Sequence, residues 1–183
     1  MSWFTHLLFL LVIFLTVFME ATFDGFRHLV GTQVDFLPAL MVYAGLTYSI
    51  GLIAGAAVWG SLCFDALSAN PLGTSLLPLM VVGVSVHVFR SLLLRELIYA
   101  QFVIGTAACA SAPLLTLFIL SGLEHEPSTG LGFLWQWLVM AIVGGLSTPL
   151  IFLVLDRLAQ TLNYQPESES SFRPDRQIKR GRQ

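Results

Sequence analysis

Hydrophobic positions in this chain fall into long runs, separated by short clusters of charged and turn-forming residues. A transmembrane helix needs about 20 apolar residues to cross a hydrocarbon core of about 30 Å. The pattern predicts an all-α fold, a polytopic membrane helix bundle of about six transmembrane helices. The predicted spans are residues 3–19, 36–50, 51–64, 72–89, 97–123 and 131–155.

Residues 36–64 are nearly uncharged and allow two interpretations. A single helix would be about 43 Å long, whereas two helices would reach only about 22 Å each. We expect two short helices that turn near Tyr48 to Gly51. Such helices need either local bilayer thinning or shielding by their neighbours, and the small residues favour shielding. One long helix is the alternative.

Small residues line the predicted third span. Gly51 and Gly55 fit the small-xxx-small pattern of close transmembrane packing. We expect them to pack against neighbours within the chain, with a homodimer seam as the alternative.

Three other segments carry specific expectations. The run at 3–19 has no preceding Lys or Arg and no A-x-A-like site after it, so we interpret it as a retained first helix rather than a secretory signal. Residues 21–35 alternate apolar and charged positions in a way that suits a short interfacial helix. Pro78, inside the run at 72–89, predicts a kink in that helix.

Composition agrees with a membrane protein. Hydrophobic residues make up 56% of the 183 positions and charged residues only 11%, with a mean hydropathy of +0.79. Ordinary soluble domains carry about 25% charged residues. We therefore expect one transmembrane helical domain over residues 1–162 and a disordered tail over residues 163–183.

The distribution of Lys and Arg predicts the orientation. Five cations lie in the tail and two in the turn at 90–96, while the loops at 20–35 and 122–130 hold one cation and five acids. The positive-inside rule places both termini in the cytoplasm. We expect the basic end of the tail to meet anionic lipid, and no nucleic-acid partner, because the chain has neither a folded module nor a second basic face.

The sequence offers no recognisable catalytic set. Its histidines lie near span ends or in loops, at positions 6, 28, 87 and 125, without H-x-x-x-H spacing or a G-x-S-x-G motif. Cys63 and Cys109 lie in apolar runs without metal-ligand spacing and are interpreted as buried small side chains. We expect no enzyme activity, cofactor or metal.

Asp65 is the most unusual residue, because it stands between two apolar runs. A carboxylate at the edge of a span is costly unless it pairs, faces protein or lies at the interface. It ends the third helix, with Ser68, Asn70 and Pro71 forming the turn and Gly73 starting the next helix, or it binds a partner's cation or backbone amides. The two roles can coexist.

The segment that contains Asp65 resembles a known family. Residues 60–73 read GSLCFDALSANPLG, in which Gly60, Asp65, Ser68, Pro71 and Gly73 match the signature region of the rod shape-determining protein MreD family. The second span has a proline near its start, Pro38, and the last ends in Asp-Arg-Leu at residues 156–158; both features are compatible with the layout of that family. The interfacial segment and the basic tail have no counterpart in it.

This resemblance implies a non-catalytic bacterial inner-membrane protein of the peptidoglycan elongation machinery, the elongasome. Its implied partner is the bitopic protein MreC, and through it the MreB cytoskeleton, the RodA glycosyltransferase and a penicillin-binding transpeptidase. MreD-like proteins are also similar to the six-helix substrate-binding subunits of energy-coupling-factor vitamin transporters. Motif residues Gly60, Asp65, Ser68, Asn70, Pro71 and Gly73 would form a structural or partner surface.

A transporter subunit is the alternative function. In that interpretation Asp65, Tyr43, Tyr48 and Trp59 would line a small-molecule site between the helices, where ligand pockets commonly lie.

Overall fold

The computed structural model describes residues 3–22, 31–32, 34–68, 71–92, 97–122 and 130–162. The secondary structure of the described residues is entirely helical, without a strand. Its six helices are α1 (Trp3–Thr22), α2 (Leu37–Thr47), α3 (Ile50–Leu67), α4 (Leu76–Phe89), α5 (Ile98–Gly122) and α6 (Leu131–Leu162). Four of them are long and apolar enough to cross a membrane: α1, α3, α5 and α6.

Residues 36–64 form two helices, as predicted. Tyr48 and Ser49 are both extended and reverse the chain between α2 and α3. The two helices run antiparallel, because Leu37 at the start of α2 lies against Gly60 in the second half of α3. This hairpin explains how a segment too long for one span fits inside the bundle.

The short helix α2 lies at the centre of the fold. It contacts all five other helices, and every residue from Leu37 to Gly45 is buried. Eleven residues reach only about 16 Å, which is too short to cross a bilayer. A helix that is apolar on every side is stable when protein surrounds it, and the other five helices provide that shielding.

The helices alternate in direction, so the bundle has two distinct ends. Glu20 of α1, Asp35 before α2 and Asp65 of α3 lie at one end, which we call the acidic end. At the opposite end, the first turns of α1 and the last turns of α6 line a common cleft. The described termini therefore lie on the same side, as the sequence predicted; which side faces the cytoplasm stays a prediction.

An aromatic cluster joins α2 to α1 and α6 in the half of the bundle opposite the acidic end. The Tyr43 ring meets Phe152 edge to face, with centroids 5.0 Å apart, and Phe9 lies 4.9 Å from Tyr48. The Tyr43 hydroxyl donates a 3.0 Å hydrogen bond to Asp156 Oδ1. This bond gives the buried phenol an acceptor, as a buried tyrosine requires.

Glycines permit close helix approach at Gly45 and Gly144, but not at Gly51 and Gly55. A Cβ on Gly45 would lie 2.8 Å from the Gly83 carbonyl oxygen, and a Cβ on Gly144 would lie 2.6 Å from Cys109 Cβ. Gly51 and Gly55 have no described atom within 4 Å of a Cβ. The expectation that they pack within the chain is therefore not met, because their face of α3 points away from the bundle.

Two other expectations change. Helix α4 begins at Leu76, so Pro78 stands in its first turn, where a missing N–H costs nothing and no kink is needed. Helix α6 continues past the predicted residue 155 to Leu162. The predicted interfacial helix, the loop at 124–130 and the tail at 163–183 lie wholly or largely outside the described residues.

We expect Gly45→Ala to lower the free energy of unfolding by about 1–3 kcal/mol, the usual cost of overpacking a close contact. The added methyl would meet a backbone oxygen, which cannot rotate away. Gly55→Ala is the matched control, since it adds the same methyl into open space. Denaturation in detergent micelles measures both, and equal stabilities would contradict the packing account.

Candidate functional site

Asp65 lies in the last turn of α3 and is only 2% exposed. Its Oδ2 accepts hydrogen bonds from the Gly73 N–H at 2.7 Å and the Ser75 N–H at 3.3 Å. Its Oδ1 accepts the Ser75 hydroxyl at 2.6 Å. One carboxylate thus receives three donors from the turn that leads into α4.

The local sequence folds this turn back over Asp65. The Pro71 carbonyl accepts the N–H and the hydroxyl of Thr74, at 3.2 and 2.7 Å. Gly73 has a φ of +90°, a conformation that glycine adopts without steric cost. The reversal directs the Gly73 and Ser75 amides towards the preceding helix, so that Asp65 of α3 caps the start of α4.

The start of α2 is capped in a similar way by three other residues. The first four N–H positions of a helix have no partner inside it, and here they belong to residues 36–39. The Phe36 N–H donates to Glu20 Oε1 at 2.7 Å, and the Leu37 N–H to Asp35 Oδ1 at 2.8 Å. Pro38 has no N–H, and the Cys109 sulfur of α5 lies against the Ala39 N–H.

This capping has a physical cause in the burial of the two helix starts. Leu37 and Ser75 are buried, and an unpaired N–H inside a protein costs several kcal/mol, because no water is present there to satisfy it. The positive end of the helix dipole also favours a nearby carboxylate. The acids at the ends of α1 and α3 thus stabilise the two shortest helices, α2 and α4.

The site brings three acidic side chains close together, those of Glu20, Asp35 and Asp65. Burial raises the pKa of Asp35 to about 6; the Leu37 N–H opposes this rise, and the charge of Asp65 adds to it. Oε2 of Glu20 is buried and has no hydrogen-bond partner among the described residues. Burial and the neighbouring acid thus disfavour the ionised form of Asp35, and the hydrogen bond from the Leu37 N–H favours it.

The residues singled out by sequence are only partly brought together. Asp65, Pro71 and Gly73 belong to the capped turn, and Ser68 ends α3. Gly60 lies one turn earlier, where a Cβ would stand 3.3 Å from Ile13 of α1 and 3.3 Å from Leu37 of α2. Asn70 lies outside the described residues.

Burial contradicts one of the two roles considered for Asp65. Its carboxylate binds backbone amides, but they are amides of its own chain. At 2% exposure it offers no surface to a partner's cation. The turn itself remains accessible, because Pro71, Leu72 and Gly73 are exposed.

The residues proposed for a transporter site do not converge. Asp65 lies at the acidic end, Tyr43 and Tyr48 belong to the aromatic cluster, and Trp59 is 44% exposed on α3. The cleft beside the two tyrosines has a volume of about 10 Å³, room for about one water molecule. Among the described residues, no group of three or more His, Cys, Asp or Glu side chains is placed to hold a metal ion.

Sequence reasoning missed Glu20, Asp35, Ser75 and Cys109 as parts of this site. Asp35 had a usable signal, since it stands two residues before a helix that opens Leu-Pro, where acidic side chains commonly cap. Glu20 and Cys109 had no sequence signal, because their contacts with the start of α2 join residues far apart in the chain.

Comparison with known proteins adds no assignment: no protein-family model matches the chain, and neither curated proteins nor solved structures give a significant match.

We expect Gly73→Ala to destabilise the protein by about 1–2 kcal/mol, the cost of placing an L side chain in a left-handed backbone conformation. No described atom crowds this position, so the cost is conformational. Gly73→Asn should recover part of it, because asparagine tolerates positive φ better. Thermal unfolding measures the series against Gly51→Ala, and an unchanged Gly73→Ala protein would contradict the assigned turn.

The raised pKa of Asp35 predicts that its contribution to stability depends on pH. Its folded pKa of about 6 exceeds the ordinary value of 3.8, so the folded state binds the proton more tightly. Stability from this group is present below about pH 4 and is lost as pH rises through 6. Asp35→Asn keeps an oxygen acceptor for the Leu37 N–H and should remove this component from the melting temperature measured between pH 4 and 8. Identical pH profiles for the two proteins would contradict it.

Proposed function

We propose that the chain is a non-catalytic integral membrane scaffold of the cell-wall elongation machinery, similar to MreD and located in a bacterial inner membrane. The observation that carries the proposal is the capped turn. Asp65, Pro71 and Gly73, three positions of the resemblance, belong to one hydrogen-bonded unit that joins α3 to α4. These three matching residues thus form one turn, which gives a structural reason for their occurrence together in the sequence.

The surface of α3 supports a partner role. Gly51 and Gly55 lie exposed on one face of this helix, one turn apart, without a neighbour in the described chain. Transmembrane helices associate closely through such small residues. In the proposal this face receives the single span of an MreC-like bitopic protein, and MreB, RodA and a penicillin-binding transpeptidase are reached through that partner.

Co-purification tests the proposed partner face. Wild-type protein solubilised from a rod-shaped host should carry an MreC-like partner, and the double variant Gly51→Leu/Gly55→Leu should lose it while melting at an unchanged temperature. Gly132→Leu is the matched control, because Gly132 is also an exposed helical glycine with open space around it. Recovery of wild-type protein without any such partner would contradict the scaffold.

Depletion in the native host tests the cellular role independently of the face. Rods should become spheres as the protein is lost, and wild-type protein supplied in trans should restore them. Cells that remain rod-shaped after complete depletion would contradict the proposed function, whatever the binding result.

A further inference from the structure

The α5–α6 hairpin is longer than the rest of the bundle and extends past its acidic end. Residues 98–122 and 131–155 are 25 residues each without a charge, about 37 Å of apolar helix. The charge-free part of α1 ends at Met19 and α4 has only 14 residues, about 26 and 21 Å. The molecule therefore has two halves, α1–α4 and the α5–α6 hairpin, that fit membranes of different thickness.

Contacts between the two halves show how they are aligned along the helix axes. Cys109 and Gly144 lie near the middle of the charge-free parts of α5 and α6, and they touch each other. The Cys109 sulfur also lies against the Ala39 N–H, at the start of α2 and within electrostatic range of Asp35 and Glu20. The acidic end is thus level with the middle of the hairpin, and about 13 residues of each hairpin helix, roughly 20 Å, continue beyond it.

The extending part of the hairpin has a lipid-facing surface. No side chain of α5 is buried after Ala112, and Phe118 is 76% exposed. On α6 the exposed apolar positions recur every three or four residues without interruption: Trp135, Leu138, Ile142, Leu146, Leu150 and Leu153. One continuous stripe therefore runs from the extending part into the body of the bundle, which indicates hydrocarbon along its whole length.

The turn after α3, in contrast, cannot lie in hydrocarbon. Pro71, Leu72 and Gly73 are exposed and non-helical, and irregular backbone does not face lipid within the hydrocarbon region. This turn is bonded to Asp65 at the acidic end. Water or headgroups must therefore reach the turn at the acidic end. At the same depth on the other side of the molecule, the α5–α6 hairpin is surrounded by hydrocarbon.

We propose that the protein thins the bilayer on its α1–α4 side, so that the membrane surface dips to the acidic end while full-thickness hydrocarbon surrounds the α5–α6 hairpin. The interaction partner in this proposal is the lipid bilayer itself. The inference does not depend on the proposed function. Such mismatch costs fractions of a kcal/mol per Å of bilayer deformation, whereas keeping the apolar side chains of the hairpin out of water stabilises the arrangement by about 25 cal/mol per Å² of apolar surface.

Cysteine accessibility in lipid vesicles tests the two levels together. Single cysteines replace Leu72 in the turn and Phe118 on the hairpin, in a Cys63→Ala/Cys109→Ser background that keeps a polar acceptor near Ala39. A charged maleimide is introduced on both sides by freeze–thaw. Leu72→Cys should label like the water control Ser91→Cys, and Phe118→Cys should stay unlabelled like the hydrocarbon control Leu150→Cys.

Either single deviation overturns the proposal. Labelling of Phe118→Cys would show a flat membrane from which the hairpin emerges, and protection of Leu72→Cys would show a flat membrane that covers the turn.

If the background fails to fold, the wild-type chain still decides the question through its melting temperature in lipids of graded acyl-chain length. A maximum in chains shorter than 18 carbons is expected, and a maximum at 18 or more would contradict thinning.

Discussion

The need to satisfy backbone N–H groups away from water governs this structure. Leu37 at the start of α2 and Ser75 at the start of α4 are buried, so the N-terminal amides of both helices require partners within the protein. Glu20, Asp35 and Asp65 supply these partners through hydrogen bonds of 2.7 to 3.3 Å. A membrane protein therefore retains three acids where apolar residues would otherwise be favoured.

The central position of α2 follows from the same constraint. Once its N-terminus is capped by α1 and by its own preceding residue, the helix can be enclosed on every side. Close approach by Gly45 and Gly83 on one side lets α4 pack against it, and the Tyr43–Asp156 bond ties it to α6. Small residues and a few polar bonds thus hold a bundle in which burial of apolar surface gives little preference over lipid.

Sequence reasoning located the helices well, because apolar runs between charges are long in such a chain, although residues 36–64 allowed one helix or two. It also identified the reversal near Tyr48 and the turn after Asp65, where chemistry is local. It failed for Gly51 and Gly55, because the small-xxx-small pattern does not say which side of a helix faces the bundle. Glu20 and Cys109 were missed because tertiary contacts alone give them their role.

The central claim is that Asp65 holds the start of α4 by accepting the amides of Gly73 and Ser75. Hydrogen exchange of the wild type and Asp65→Ala in detergent micelles tests it most directly. We predict faster exchange in residues 71–79 of the variant and unchanged protection in the α5–α6 hairpin. Equal protection of residues 71–79 in both proteins would contradict the account.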